Sequence, residues 1–249
     1  MSAQLAMRTG NPVLTDDTFR LPRVIGADAM TIAGTVNKTF LSLVILMMTA
    51  SYTWNIGVGD PRVAMLTMVG FLGGFVVALA TAFRQTWAPY TTPAYAALEG
   101  LALGGISIGF ETRYPGVVSQ AVFLTFGTLA ALLLAYRSGL IRPTENVKLG
   151  IAAATGGIAL IYLASFVMSL FGASIPLIHG SGTLGIGFSI VVVCVAALNL
   201  VLDFDFIEQG AERGAPKYME WYGAFVLLVT LVWLYLEMLR LLAKLQERR

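Results

Sequence analysis

The chain of 249 residues contains one cysteine, Cys194, and one histidine, His179. A single cysteine excludes an internal disulfide and leaves the redox compartment undefined. One cysteine and one histidine are too few to hold zinc through its usual side-chain set. Charge is scarce as well. Only 12% of residues are charged, where an ordinary soluble domain carries about a quarter. The net charge of +2 and the lack of a basic stripe with interleaved aromatics exclude nucleic acid as a partner. No Walker A motif is present, which excludes an ATP-driven pump. Intramembrane aspartyl proteases carry a GxGD context that is missing here. The serine-protease pattern GxSG fails because His179 stands where its first glycine belongs. With no nucleophile beside a base, the chain reads as a non-enzyme that needs no cofactor and no resident metal. Residues 1–39 lack the early apolar core of a secretory signal, which falls within about the first 30 residues. They read instead as a polar, flexible segment broken by Pro12, Asp16, Asp17 and Pro22.

What the sequence has in abundance is apolar length. Hydrophobic residues make up 57% and mean hydropathy is +0.78. Crossing the hydrocarbon core takes about 20 mainly apolar residues. Seven stretches qualify: Phe40–Ile56, Val63–Phe83, Thr92–Phe110, Val117–Tyr136, Leu149–Phe171, Leu184–Leu202 and Trp221–Leu242. The expected fold is all-α and polytopic, a seven-helix transmembrane domain over residues 40–249. Lys/Arg placement gives the orientation. With the N-terminus in the cytoplasm, inner segments hold ten cations: Arg8, Arg20, Arg23, Lys38, Arg84, Arg137, Arg142, Lys148, Arg213 and Lys217. Outer loops hold two, Arg62 and Arg113. The C-terminal tail, with Arg240, Lys244, Arg248 and Arg249, opposes this bias if the seventh stretch crosses. Gly70/Gly74, Gly100/Gly104 and Gly105/Gly109 form GxxxG pairs that let helices approach closely.

Chemistry falls to a few acids, because carboxylates in bilayer-length segments are costly and face protein or water. In LNLVLDFDFIEQ, Asn199, Asp203 and Ile207 share one helical face. Asp205 points away from them, toward the side of Glu208 and Glu212, and loop character is expected from Asp203 to Glu220. Glu237 is the lone acid of LYLEMLRLL. If Asp203 and Glu237 meet in the core, they share one proton and act as a pH switch, since two touching carboxylates cannot both ionise cheaply. Their depths along antiparallel helices disagree with such a pairing. The competing reading has Asp203 ending its helix and Glu237 bridging to Arg240 at i+3. Glu99, inside the third stretch, reads either as a hydrogen-bonding link between helices or as a polar station on an ion path. Arg84 and Arg137 read as cations snorkelling to the interface. His179 is an outer-loop histidine whose titration could sense pH.

Five segments in order carry a resemblance over nearly the whole chain: Arg8–Leu14 (RTGNPVL), Met30–Lys38 (MTIAGTVNK), Tyr95–Gly100 (YAALEG), Leu202–Gln209 (LDFDFIEQ) and Leu234–Leu239 (LYLEML). The chain resembles the transmembrane Bax-inhibitor-motif family, in its bacterial branch. The resemblance implies seven helices with the last at the centre. It also implies a pH-sensitive calcium leak with an acidic pair as sensor and gate. Asp203 matches the first acid of that pair and Glu237 the second, as glutamate where the family has aspartate. Asp205 is an alternative for the first role, and Glu99-Gly100 matches a pair in the third span. Bacterial relatives also imply a second reading, a non-conducting regulator of a membrane-bound AAA protease. The expected partners are the lipid bilayer, calcium or protons in transit, and that protease. The expected location is the inner (cytoplasmic) membrane.

Overall fold

The computed structural model describes residues 28–172, 180 and 182–248. Seven long helices account for nearly all of them: α1 (Ile32–Ile56), α2 (Pro61–Phe83), α3 (Ala88–Arg113), α4 (Val117–Arg137), α5 (Glu145–Leu170), α6 (Thr183–Glu212) and α7 (Met219–Glu247). All seven are long and apolar enough to span a bilayer, and the protein is a seven-span polytopic membrane protein. The 29 residues of α7 reach about 43 Å at 1.5 Å per residue, ample for a full crossing.

The helix ends depart from the hydropathy reading in an instructive way. Thr31 accepts a hydrogen bond from the Gly34 amide at 3.0 Å and starts α1 at Ile32, so residues 32–39 are helical rather than tail. Residues 1–27 lie outside the described residues. The segment 203–212, expected as loop, is the end of α6. Acids do not stop a helix; the chain turns at Gly214, whose φ of 68° favours glycine. Asp60 caps α2 through the Arg62 amide at 2.8 Å, with Pro61 in the first turn. Glu111, from the end of α3, accepts the Gly116 and Val118 amides at 2.7 and 3.1 Å and so starts α4. Within the spans, Thr35, Thr39, Thr49, Thr67, Thr81 and Thr112 donate to carbonyls four residues back. That local bond makes a hydroxyl acceptable where no water is available.

The chain divides into two compact units. One comprises residues 28–118 and 206–229. Here α3 packs against both α1 and α2 through glycine. A Cβ on Gly100 or Gly104 would collide with the backbone of α1 at Leu46 and Ala50. A Cβ on Gly70 would meet the Leu98 carbonyl and Ala102 amide of α3. Gly109, by contrast, faces open space. Tyr95, Phe206, Tyr222 and Phe225 form the aromatic core of this unit. The other unit comprises 119–205 and 230–248, so α6 and α7 each contribute to both units, the larger part of each to this one. Burial ranks the helices. In α7, 61% of the apolar window is buried, against 11–17% in α1, α2, α4 and α5. α7 is the most buried of the seven, the inner helix that the resemblance implied.

Candidate functional site

The unit of residues 119–205 and 230–248 holds a line of polar groups on α5. Lys148, Thr155 and Tyr162 recur every seven residues, so they lie on one face. Buried Ile151 and Ile158 fill the intervening turns of that face. Lys148 pairs with Asp205 at 2.7 Å and with Glu145 at 3.1 Å. Thr155 accepts the Asn199 side-chain N–H at 2.8 Å, and the same amide donates to the Val195 carbonyl at 2.8 Å. The Tyr162 hydroxyl donates to Glu237 Oε1 at 2.8 Å. Arg240 donates to the same Oε1 at 2.7 Å and to the Tyr162 oxygen at 2.8 Å, with its guanidinium 5.2 Å from the centre of the tyrosine ring. Glu237 Oε2 is buried with no hydrogen-bond partner among the described residues. Lys244 donates to the Gly185 carbonyl at 3.0 Å and to Ser189 Oγ at 2.8 Å.

These contacts locate the acids singled out from sequence. Asp203 and Glu237 are both buried, at 0% and 2% exposure. The hydrogen bonds of Glu237 go to Tyr162 and Arg240. The Lys244 contacts set α6 and α7 antiparallel, with Glu237 level with residues 192–196 of α6. That is about two to three helical turns from Asp203. Glu237 thus makes the i+3 bridge to Arg240 of the competing reading, but Asp203 does not end its helix as that reading had it, because α6 continues to Glu212. Asp205 faces α5 and pairs with Lys148. In the other unit, the Glu99 carboxylate lies over Gly74 of α2, where a Cβ would stand 2.9 Å from Oε2. Arg84 lies over the Trp87 ring at 5.0 Å. His179 lies outside the described residues. Arg240 and Lys244 are not tail residues: α7 continues through both, one paired to Glu237 and the other buried on α6.

The sequence reading passed over the acid with the most partners. Glu220, in the first turn of α7, has a side chain with no exposure. It accepts the Thr31 amide at 2.9 Å and the Thr31 hydroxyl at 2.8 Å. Lys217 pairs with it at 2.9 Å, and Lys38 makes a short ion pair with it. Lys38 also stands over the Trp221 ring at 5.7 Å. Any side chain on Gly34 would strike this carboxylate, so the glycine makes its seat. Beside the cluster, the Met30 amide donates to the Ala215 carbonyl at 2.6 Å, and Ala29 bridges Pro216. The available signal was Lys217 three residues before Glu220, together with the threonine and lysine of segment 30–38.

No group of three or more His, Cys, Asp or Glu side chains capable of holding a metal ion occurs among the described residues. A sequence model of the Bax inhibitor 1 like family matches residues 11–247. No curated protein matches the chain.

Proposed function

Since the chain belongs to the Bax inhibitor 1 like family, we propose that it is a passive, pH-gated leak for cations, with calcium and protons as the permeant candidates. The observation that carries the reading is Glu237. It is a buried carboxylate in a spanning helix, with one oxygen held by Tyr162 and Arg240 and the other without a hydrogen bond. A carboxylate is retained in a spanning helix at a cost, and a half-satisfied one gains from a proton or a passing cation. Asp203 and Asp205 are the other acids of the path in the unit that holds Glu237, and Glu99 is the spanning-helix acid of the other unit. Calcium prefers several oxygen ligands at once, and scattered single carboxylates suit transit better than retention. In this reading the protein sits in the inner membrane with its N-terminus cytoplasmic, following the cation bias.

The test is calcium flux into proteoliposomes between about pH 5 and pH 8, with wild type beside Glu237→Gln and Asp203→Asn. Wild-type flux is expected to vary with pH, and Glu237→Gln to flatten the profile. Glu237→Gln protein that leaks with an unaltered profile would remove Glu237 from the gate. No flux above empty liposomes, from folded and inserted protein, would sink the leak.

A non-conducting regulator is the second reading, and one observation favours it. Backbone pairing of Ala29 and Met30 with Ala215 and Pro216 holds the residues just before α1 beside the Glu220 cluster. The polar sequence ahead of them is the segment that a membrane-bound AAA protease would meet in this reading. Deleting 1–27 would abolish regulation of that partner while sparing flux.

A further inference from the structure

The polar groups of α5 form a graded series. Lys148, Thr155 and Tyr162 span fourteen residues, about 21 Å along the helix axis, or roughly two thirds of the hydrocarbon thickness. A charged pair, Lys148–Asp205, stands at one end. A second charged group, Glu237 with Arg240, stands at the other. Between them the partners are uncharged, Thr155 with Asn199. Asp203 lies one turn from Asn199 on the same α6 face and is buried. Simple packing between helices calls for isolated, satisfied polar pairs. This series instead repeats across the span and includes a carboxylate oxygen with no hydrogen bond.

We propose that this α5 seam is the hydrated cation route, and that the Thr155–Asn199 hydrogen bond is its uncharged closure between two charged stations. The inference rests on the leak reading and deepens it. Threonine and asparagine oxygens can replace water around a cation without holding it, which suits a narrow point that must release what it admits. Opening needs only the separation of one neutral hydrogen bond, a modest cost beside breaking either ion pair. Thr155 and Asn199 are then the residues that set passage, while the flanking charges concentrate the ion.

The experiment uses full-length protein in proteoliposomes, with the native Cys194 first replaced by alanine. Single cysteines are placed at Thr155 on the seam and at Leu160, whose 68% exposure on α5 makes it the lipid-facing control. A permanently charged methanethiosulfonate reagent is applied at the pH of greatest flux, or across the whole range if there is none. Modification is read by mass and flux by calcium entry. The expected result is modification of Thr155→Cys with a fall in flux, and none at Leu160→Cys. Thr155→Val, which removes both the closing hydrogen bond and the oxygen that replaces water around the ion, should shift flux about tenfold from wild type, and Thr155→Ser should restore it. Flux that persists with Thr155→Cys unmodified, or that is unchanged in Thr155→Val, overturns the route and leaves the leak standing. Modified Thr155→Cys in a protein with no calcium flux keeps the hydrated seam and sinks the calcium leak. Unmodified cysteine with no flux overturns both.

Discussion

Glu220 and Glu237 lie on the same helix, α7, and both are buried, yet they are held in opposite ways. Around Glu220 both oxygens are taken: Oε1 by the Thr31 amide, the Thr31 hydroxyl and Lys217, and Oε2 by Lys38. Around Glu237 one oxygen is taken twice and the other not at all. A buried charge with both oxygens answered is a fixture, because moving it exposes several groups at once. A buried carboxylate with an open oxygen has something to gain from a change of state. Counting partners separates a fully held acid from a half-held one on α7 itself, and the proposed leak uses the half-held one.

The largest expected effect breaks the fixture. Glu220→Gln removes the charge that answers Lys38 and Lys217 and keeps the size of the side chain. Breaking one side of a buried ion pair typically costs about 3–5 kcal/mol. Both lysines are partly exposed, at 20% and 48%, so the lower figure of about 3 kcal/mol is expected. Thermal unfolding in detergent should show a drop of several degrees. A melting point equal to wild type would mean that the cluster adds nothing to the fold.

The middle effect sharpens the contrast from the other side. Glu237→Gln keeps an acceptor for Tyr162 and Arg240 and removes the half-satisfied charge. Arg240 loses its ion pair but is itself 37% exposed and can turn to water. The expected stability change is under about 1 kcal/mol, the worth of a single net hydrogen bond. Tyr162→Phe, which deletes two such bonds, one given to Glu237 and one accepted from Arg240, should cost about 1–2 kcal/mol. The same unfolding series decides it. If Glu237→Gln destabilises as much as Glu220→Gln, the two acids are alike and the functional reading of Glu237 loses its support.

How much of this was legible in the sequence depends on distance along the chain. The seven spans could be read because bilayer thickness imposes a length that hydropathy alone reveals. The ends could not, because a hydropathy window stops at the first acids, whereas α6 runs on through Asp203, Asp205, Glu208 and Glu212 to its glycine stop. The Glu237–Arg240 bridge was legible because it is local. The Glu220 cluster was not, since Thr31 and Lys38 lie more than 180 residues away. The α5 series was present as a seven-residue period. It passed unread because Lys148 counted as a loop cation, and threonine and tyrosine rarely register as membrane polar groups. The glycine pairs show the remaining limit: Gly104 and Gly109 look alike in sequence, but only the first has a helix against it.

The smallest effect supplies the reference for both glutamates, an acid answered in open water. Asp60 precedes α2 and accepts the Arg62 amide at 2.8 Å and its guanidinium at 2.8 Å. The side-chain bond from Arg62, and then its backbone bond, hold the Asp60 carboxyl below the usual carboxylate range. A carboxyl whose pKa is lowered by folding adds stability only while ionised. Its contribution is therefore complete above the ordinary aspartate pKa of about 3.9 and fades as pH falls through the lower folded value. Solvent and salt screen such an exposed pair, so the effect on the melting point should be slight at neutral pH. Local opening is the more sensitive measure. In Asp60→Ala, hydrogen exchange at the Arg62 amide should quicken at neutral pH, and the difference from wild type should shrink once the pH drops below the folded pKa. A difference that stays constant through that titration would show that the cap acts through backbone shape alone, and the partner count used to tell Glu220 from Glu237 would lose its calibration.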